Sequence, residues 1–369
     1  SGRTLAAPLV ARRTQPATDL SAMDGYAVVA SDLAGPWTVV GESAAGHPFP
    51  GTVTPGQAVR IATGAAMPLG AGAVVLQENV TREGDHLTLT DRAPDPPHRH
   101  VRQTGMDYRA GDLLLPAGTQ IGPAQLALAI TAGHGTLQVH RRPRLAIIDS
   151  GDELVAPGQP TLPHQLPASN GAMLAAMAAP LVSSIDRLGP AADTMEALAA
   201  AFARAGDADV LVTSGGASVG DHDLIRPALA AWGAEIDFWK VAIKPGKPIL
   251  IARRGRQLVV GLPGNPVSSF VTAHLFLLPL LRALAGASAP FPRAISARLG
   301  APLPALGPRR EFLRARWDGE TVVAAEQHDS GALASLALAN ALIDRPAHAP
   351  TASAGETVAI HLLQFGGIA

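Results

Sequence analysis

Hydrophobic and polar positions change rhythm twice along this chain. Between Trp37 and Thr90 the apolar positions come in short runs cut by Gly and Pro, namely Trp37–Val40, Ala58–Ile61, Ala73–Leu76 and His86–Leu89. Runs of that length between turn residues predict a small all-β module. Upstream, positions 1–20 carry no clear helix, and the polar turn Ser21–Asp24 feeds a strand ending near Val28. Positions 91–100 are too Pro-rich for a core element and read as a loop or linker. Asp112–Leu115 and Leu137–His140 flank a helix expected over Pro123–Ala132.

At Arg144 the pattern becomes alternating β and α, which predicts a parallel sheet covered by helices. The expected strands are Leu145–Ile148, Ala208–Val212 and Ile236–Ile243, with a hairpin of Ile249–Ala252 and Leu258–Val260. The expected helices are Gly171–Ala179, opened by Asn170, an Ala-rich helix ending near Ala205, Leu224–Trp232, and a long apolar helix from Val267 to about Leu284. Asp193-Thr-Met-Glu196 has the form of a capping box for the Ala-rich helix. Asn265 and Pro266 suit the N-cap and first position of the long one. After Gly286 the pattern is β again, with Ala294–Arg298, Phe312–Trp317, Thr321–Ala325 and Val358–Leu362. These predict a compact C-terminal β domain.

Composition narrows the function classes. With 369 residues, 47% hydrophobic and 16% charged, the chain reads as several folded domains and not as a disordered protein. A net charge of −1 without a long basic run argues against a nucleic-acid surface. No uninterrupted apolar stretch reaches the roughly 18–20 residues of a membrane span. The start shows no signal-peptide pattern, so a cytoplasmic location is the expectation. Zero cysteines exclude disulfides and thiolate metal sites.

Candidate chemistry gathers at strand ends and turns. The segment Thr213-Ser-Gly-Gly-Ala-Ser-Val-Gly-Asp-His-Asp223 follows a buried strand and precedes a helix, a setting that offers backbone N–H groups to an anion. Its last residues, Asp221 and Asp223, add possible cation ligands. Asp152 and Glu153 end another strand, and ligands of α/β sheets bind outside such carboxyl ends. Lys244-Pro-Gly-Lys247 puts two ammonium groups on one turn, which suits a phosphate or oxyanion. Lys240, Asp24, Thr63 and Asp107 are further polar positions at turns. Each has a plain structural reading as well: Asp193 and Asp223 as helix caps, Asp24 and Thr63 as turn residues, the lysines as solvated charge. His47, His98, His100 and His222 lack metal-ligand spacing.

Six motifs occur together in one order: Ser21-Ala-Met-Asp-Gly-Tyr-Ala, Ala62-Thr-Gly-Ala, Gly151-Asp-Glu-Leu, the 213–223 segment, Lys244-Pro-Gly-Lys-Pro and Gly261-Leu-Pro-Gly-Asn-Pro-Val-Ser. Together with Ser330-Gly-Ala-Leu-Ala-Ser-Leu-Ala and Ala339-Asn340, they resemble molybdopterin molybdenumtransferases. These are the MoeA type, also found as the C-terminal domain of gephyrin. The resemblance implies a multidomain α/β plus β protein in four parts. A split N-terminal domain takes 1–32 and 105–143, and an inserted small β domain takes 33–104. A molybdopterin-binding α/β domain with a mostly parallel sheet takes 144–287, and a C-terminal β-barrel takes 288–369. It further implies a homodimer, with the active site between the α/β domain of one subunit and the N-terminal part of the other. The implied reaction inserts molybdate into adenylylated molybdopterin with Mg²⁺ and releases AMP, and contact with a molybdopterin adenylyltransferase is expected.

Carried over by motif, the implied catalytic residues are Asp24, Thr63, Asp107, Glu153, Asp193, Asp223, Lys240 and Lys244. The implied substrate-binding residues are Ser214, Gly215, Gly216, Ser218, Gly220, Asp221, Lys247, Pro263, Asn265, Pro266 and Ser268. Glu153, Asp221 and Asp223 are the implied metal ligands. Apart from a helical segment expected before Ser21 that is largely absent, the chain departs from the family pattern at three motifs. Met106-Asp107 stands for an acidic pair, Asp149-Ser150 for Ser-Thr, and Ala168 for an Asp. Other readings of the same motifs are molybdopterin adenylylation, which stand-alone proteins without the flanking β domains perform, and a non-catalytic gephyrin-like scaffold.

Overall fold

The computed structural model describes residues 2–215, 224–327 and 329–363. The chain divides into two compact units, one over Leu5–Val139 and one over Gly2–Thr4 with the residues from His140 onward.

In the N-terminal unit the short runs pair into a six-stranded sheet, in the order Ala73–Leu76, Gly25–Val28, Gln57–Ile61, Trp37–Ser43, His86–Leu89, Val80–Glu83. Successive strand side chains point to opposite faces. Tyr26 and Val28 therefore pack with Trp37, Val39 and Leu87, while Ala27 packs with Val59, Ile61 and Val74 on the other face. The helix Pro123–Thr131 begins on Pro123, whose missing N–H costs nothing there, and Gln125 Oε1 accepts from the Gly122 N–H at 3.1 Å. Residues 137–140, on the far side of this helix, form no strand. Val139 makes one isolated bridge with Leu5 and ends the unit.

The C-terminal unit carries a six-stranded mixed sheet, ordered Ser184–Arg187, Arg144–Asp149, Val210–Ser214, Gln257–Leu262, Leu250–Arg254, Glu235–Trp239. The first four strands are parallel, and the last two pair antiparallel. Leu145 and Ile147 face one core with the helices Asn170–Ala178 and Pro266–Thr272. Ala146 and Ile148 face a second core with Met195–Arg204 and Ile225–Ala231. Both faces of the central strands are thus buried, which explains their continuous apolar runs.

Several local expectations change. The run read as one strand over 236–243 stops at Trp239, and Lys240 adopts φ 85°, a left-handed conformation that L side chains avoid. Ile243–Lys244 then joins a different sheet, pairing in parallel with Arg310–Glu311. The Ala-rich helix is capped by Thr194, whose hydroxyl accepts from the Ala197 N–H at 3.1 Å, and not by Asp193. The long apolar helix runs from Pro266 to Leu284 with a π-turn over Ala273–Leu277. Among the described residues it alone is long and apolar enough to cross a bilayer, and 67% of it is buried inside the fold.

In the C-terminal region, Ala294–Leu299, Arg310–Trp317, Thr321–Ala324, Ala341–Arg345 and Thr357–Leu362 close a five-stranded barrel, because Ala341–Arg345 pairs with both Arg310–Trp317 and Thr357–Leu362. Closure removes the free edges an open sheet would leave. The strand Ala341–Arg345 escapes sequence reading because all five residues are buried, Asp344 and Arg345 included, so polar and apolar positions do not alternate.

Candidate functional site

Two cavities adjoin in the C-terminal unit. The first, of about 750 Å³, lies at the carboxyl ends of the parallel strands, where Asp149, Ser214 and the Pro263–Pro266 turn meet the start of the helix Asn170–Ala178. It is lined by Asp149, Glu153 and Asp193, and by no Lys, Arg or His among the described residues. The second, of about 720 Å³, opens between the Lys244–Lys247 turn and the barrel. Lys244, Lys247, Arg309, Arg314 and Arg345 line it, against Glu311, Glu326 and Asp329.

The wall between the cavities is one helix start. Asn265 and Pro266 line the acidic cavity, while Val267 and Ser268 line the basic one; likewise Gly331 lines the first and Ser330 the second. Asn265 Nδ2 donates to Ser330 Oγ at 2.9 Å, and the Val267 N–H donates to the Ser330 carbonyl at 3.1 Å. Asn265 occupies the N-cap as expected, but its side chain is committed to Ser330 and not to its own helix.

In the acidic cavity, Asn170 Nδ2 donates to Ser214 Oγ at 2.9 Å and to the Gly264 carbonyl at 2.6 Å, tying three turns together. Asp193 accepts from the Ser150 hydroxyl at 2.5 Å, and its own N–H donates to Asp152 at 2.9 Å. Glu153 is exposed, with its carboxylate folded over Gly151. Gly215 has φ +100°, and a Cβ there would lie 2.3 Å from the Ser150 carbonyl oxygen, so only glycine fits. Burial pushes the Asp149 carboxyl above the ordinary carboxylate value, a shift that the Gly171 N–H and the charge of Arg187 only partly offset.

In the basic cavity, Gly246 permits the lysine turn: its φ is +101°, and a Cβ would stand 2.4 Å from Thr272 Cγ2. Lys244 Nζ contacts Glu311 at 3.0 Å across the parallel pair Lys244–Glu311, which holds one ammonium at the cavity mouth. The Arg314 guanidinium gives three of its five N–H groups to the carbonyls of Gln327, Asp329 and Ala332, which fixes it in the wall of the cavity.

The N-terminal unit holds Asp24, Thr63 and Asp107. Asp24 Oδ1 accepts from both the N–H and the hydroxyl of Thr63, at 2.7 and 3.0 Å. These two bonds hold the Asp24 carboxyl below its ordinary value, with Arg60 adding to the effect. Asp107 is exposed, and its N–H donates to the Gln15 carbonyl at 3.1 Å. Gly216, Ser218, Gly220, Asp221 and Asp223 lie outside the described residues. The structure thus groups Glu153, Asp193, Ser214, Gly215, Pro263, Asn265 and Pro266 in one cavity, and Lys244, Lys247 and Ser268 in the other.

The MoeA N-terminal region (domain I and II) matches residues 1–133, a probable molybdopterin binding domain matches 146–283, and the MoeA C-terminal region (domain IV) matches 296–363. A molybdopterin molybdenumtransferase of a Nostoc strain is 36% identical over 98% of this chain and 86% of the relative. The chain belongs to the MoeA family. Molybdopterin molybdenumtransferase 2 of Mycobacterium tuberculosis is also 36% identical, over 96% of this chain and 91% of its own length. A crystal structure of the molybdopterin biosynthesis MoeA protein of Pyrococcus horikoshii has a TM-score of 0.81 at 31% identity, covering 99% of this chain and 92% of the other.

Within this MoeA protein, sequence reasoning left Asp149, Asn170, Arg309 and Ser330 without a site role. Ser330 stands in a motif that carries the resemblance, and that is the signal that could have found it. Asp149 opens a turn at the carboxyl end of a strand and departs from the family pattern, and nothing in the local sequence marks Arg309.

Proposed function

We propose that this chain is a molybdopterin molybdenumtransferase, a transferase of molybdenum cofactor biosynthesis that inserts molybdate into molybdopterin. The observation that carries the reading is the pair of adjoining cavities with opposite charge. A substrate with a neutral, donor-rich pterin and an anionic tail needs such a pair. The acidic cavity suits the pterin, and the basic one suits phosphate and the tetrahedral oxyanion. Lys244 and Lys247 supply ammonium groups there, and Ser268 and Ser330 hydroxyls, since anions bind best to several charge-assisted donors. Pro263 and Pro266 keep the dividing turn rigid, and Ser214 with Gly215 lines the pterin end. Lys240, with Asp24, Thr63 and Asp107, completes the set of residues on which turnover depends.

The finer reading is that the substrate is adenylylated and that AMP leaves on insertion. Among the described residues no group of three or more His, Asp or Glu could hold a metal. Mg²⁺ is commonly held by one or two carboxylates plus substrate phosphates and water, and exposed Glu153 fits that mode, with Asp221 and Asp223 as further candidates. Bound there, Mg²⁺ would stabilise charge on the departing phosphate. The reading includes the four-part division of the chain, action as a homodimer, delivery of substrate by a molybdopterin adenylyltransferase, and a cytoplasmic location. The exposed Met106, Leu113, Leu126 and Ile130 offer apolar surface for a dimer.

Incubation with adenylylated molybdopterin and Mg²⁺, with molybdate or tungstate added in turn, tests the reaction. Oxyanion-dependent AMP release, with reconstitution of an apo-molybdoenzyme, is the expected result. A parallel incubation with molybdopterin and ATP tests the other step, and ATP consumption there, without oxyanion-dependent AMP release in the first, would assign the chain to adenylylation.

A further inference from the structure

Of the three carboxylates lining the acidic cavity, two have other circumstances: Asp193 already accepts from the Ser150 hydroxyl, and Glu153 is exposed. Asp149 differs from both. It is 5% exposed, yet it lines the cavity. Its backbone is clamped on both sides, with the carbonyl accepting from the Ala191 N–H at 2.8 Å and the next N–H, of Ser150, donating to the Ser214 carbonyl at 3.0 Å. Its Oδ2 accepts from the Gly171 N–H at 3.1 Å, and this approach depends on glycine, because a Cβ at 171 would lie 2.3 Å from that oxygen. A carboxylate has about four acceptor sites, and that single N–H fills one. A buried acceptor, fixed in direction and with capacity left over, stands at the edge of a cavity that holds no cation among the described residues.

We infer that Asp149 reads the pyrimidine edge of the pterin, accepting hydrogen bonds from its N3–H and 2-amino group. This rests on the reading that the acidic cavity holds the pterin. The edge presents two adjacent donors, and a carboxylate is the side chain whose two oxygens match them. Burial makes the ionised carboxylate costly in the empty cavity, so a ligand that brings donors is favoured and one that brings an acceptor is rejected. That asymmetry is strongest where the polar group is buried.

The test is fluorescence titration of the full chain with 6-hydroxymethylpterin and with its 2-oxo counterpart, 6-hydroxymethyllumazine. The wild-type protein is expected to favour the pterin by roughly 10–100-fold, the range for a donor edge lost against a buried acceptor. Asp149→Asn keeps an oxygen for the Gly171 N–H but turns an amide donor toward the ligand, so its preference should fall at least tenfold and move toward the lumazine. Asp149→Ala should lose the preference without reversing it. A thermal melt of each variant shows that it is folded, and a merely structural role for Asp149 would weaken both ligands equally. An Asn variant that still prefers the pterin as strongly as wild type overturns the inference and leaves the pterin reading standing. Failure of the wild-type protein to bind either ligand overturns both.

Discussion

The two cavities share a wall only a few residues thick but solve opposite problems. The basic cavity offers a ligand charges that remain near water: Lys244 is about half exposed, and Lys247 and Arg309 are exposed, while Arg314 and Arg345 are buried and bonded to backbone carbonyls. The acidic cavity is assembled from groups fixed by the sheet ends, and its innermost carboxylate, Asp149, is buried. Solvated ammonium groups attract anions over distance but select weakly. A buried, oriented acceptor adds little attraction and much discrimination. The expected division of labour is therefore capture by the basic side and selection by the acidic side.

The strongest way to break this division is to add one methyl group at Gly215 or Gly246, one in each cavity wall. Gly215→Ala brings a Cβ against the Ser150 carbonyl and forces a left-handed backbone, so a loss of about 2–4 kcal/mol in urea unfolding and the disappearance of pterin binding are expected. Gly246→Ala should instead abolish oxyanion-dependent turnover while pterin binding persists, since the clash falls on Thr272, at the far end of the helix from the residues that line the acidic cavity. If both variants lost both ligands equally, the cavities would be one site and not two.

A smaller effect is expected from Lys247→Ala. Loss of one charge-assisted contact should lower kcat/KM for molybdate by roughly 10–100-fold, with pterin affinity unchanged. Glu311→Gln works in the other direction. Removing the carboxylate that pairs with Lys244 frees that ammonium, so the molybdate KM should fall by about two- to fivefold, and unfolding should change by under about 1 kcal/mol.

The subtlest prediction concerns the cost of selection. Because the folded-state value of Asp149 is raised, ionising it disfavours the folded state, so stability is fully present below the unfolded carboxylate value and is lost as pH rises through the folded one. Asp149→Asn should then melt higher than wild type at about pH 7, and the gap should close toward about pH 4. A gap that stays constant with pH would mean that the carboxylate is not ionised at a cost.

Much of this was legible in the chain. The pattern of short runs, alternating β and α, then short runs again gave the order of the sheets, and six ordered motifs pointed to the family. The Pro-Gly-Asn-Pro turn and the lysine turn were found because Gly and Pro constrain the backbone locally. Legibility failed where partners are distant in sequence. Thr194 took the cap expected of Asp193 because Asp193 was claimed by Ser150, 43 residues away. The strand Ala341–Arg345 lacks alternation because Asp344 is neutralised by Arg310, at 2.6 and 2.7 Å, and so can be buried.

By itself, then, the sequence determined which turns are rigid, which segments alternate, and which polar residues gather at strand ends, since all of these follow from interactions within a few residues. Only the tertiary structure decided that the polar residues sort by charge into two cavities. It also decided that one helix start divides them, and that a carboxylate at position 149 is buried beside Gly171. Burial, charge sorting and the free acceptor capacity of a side chain depend on neighbours supplied by other strands, and no local pattern encodes them.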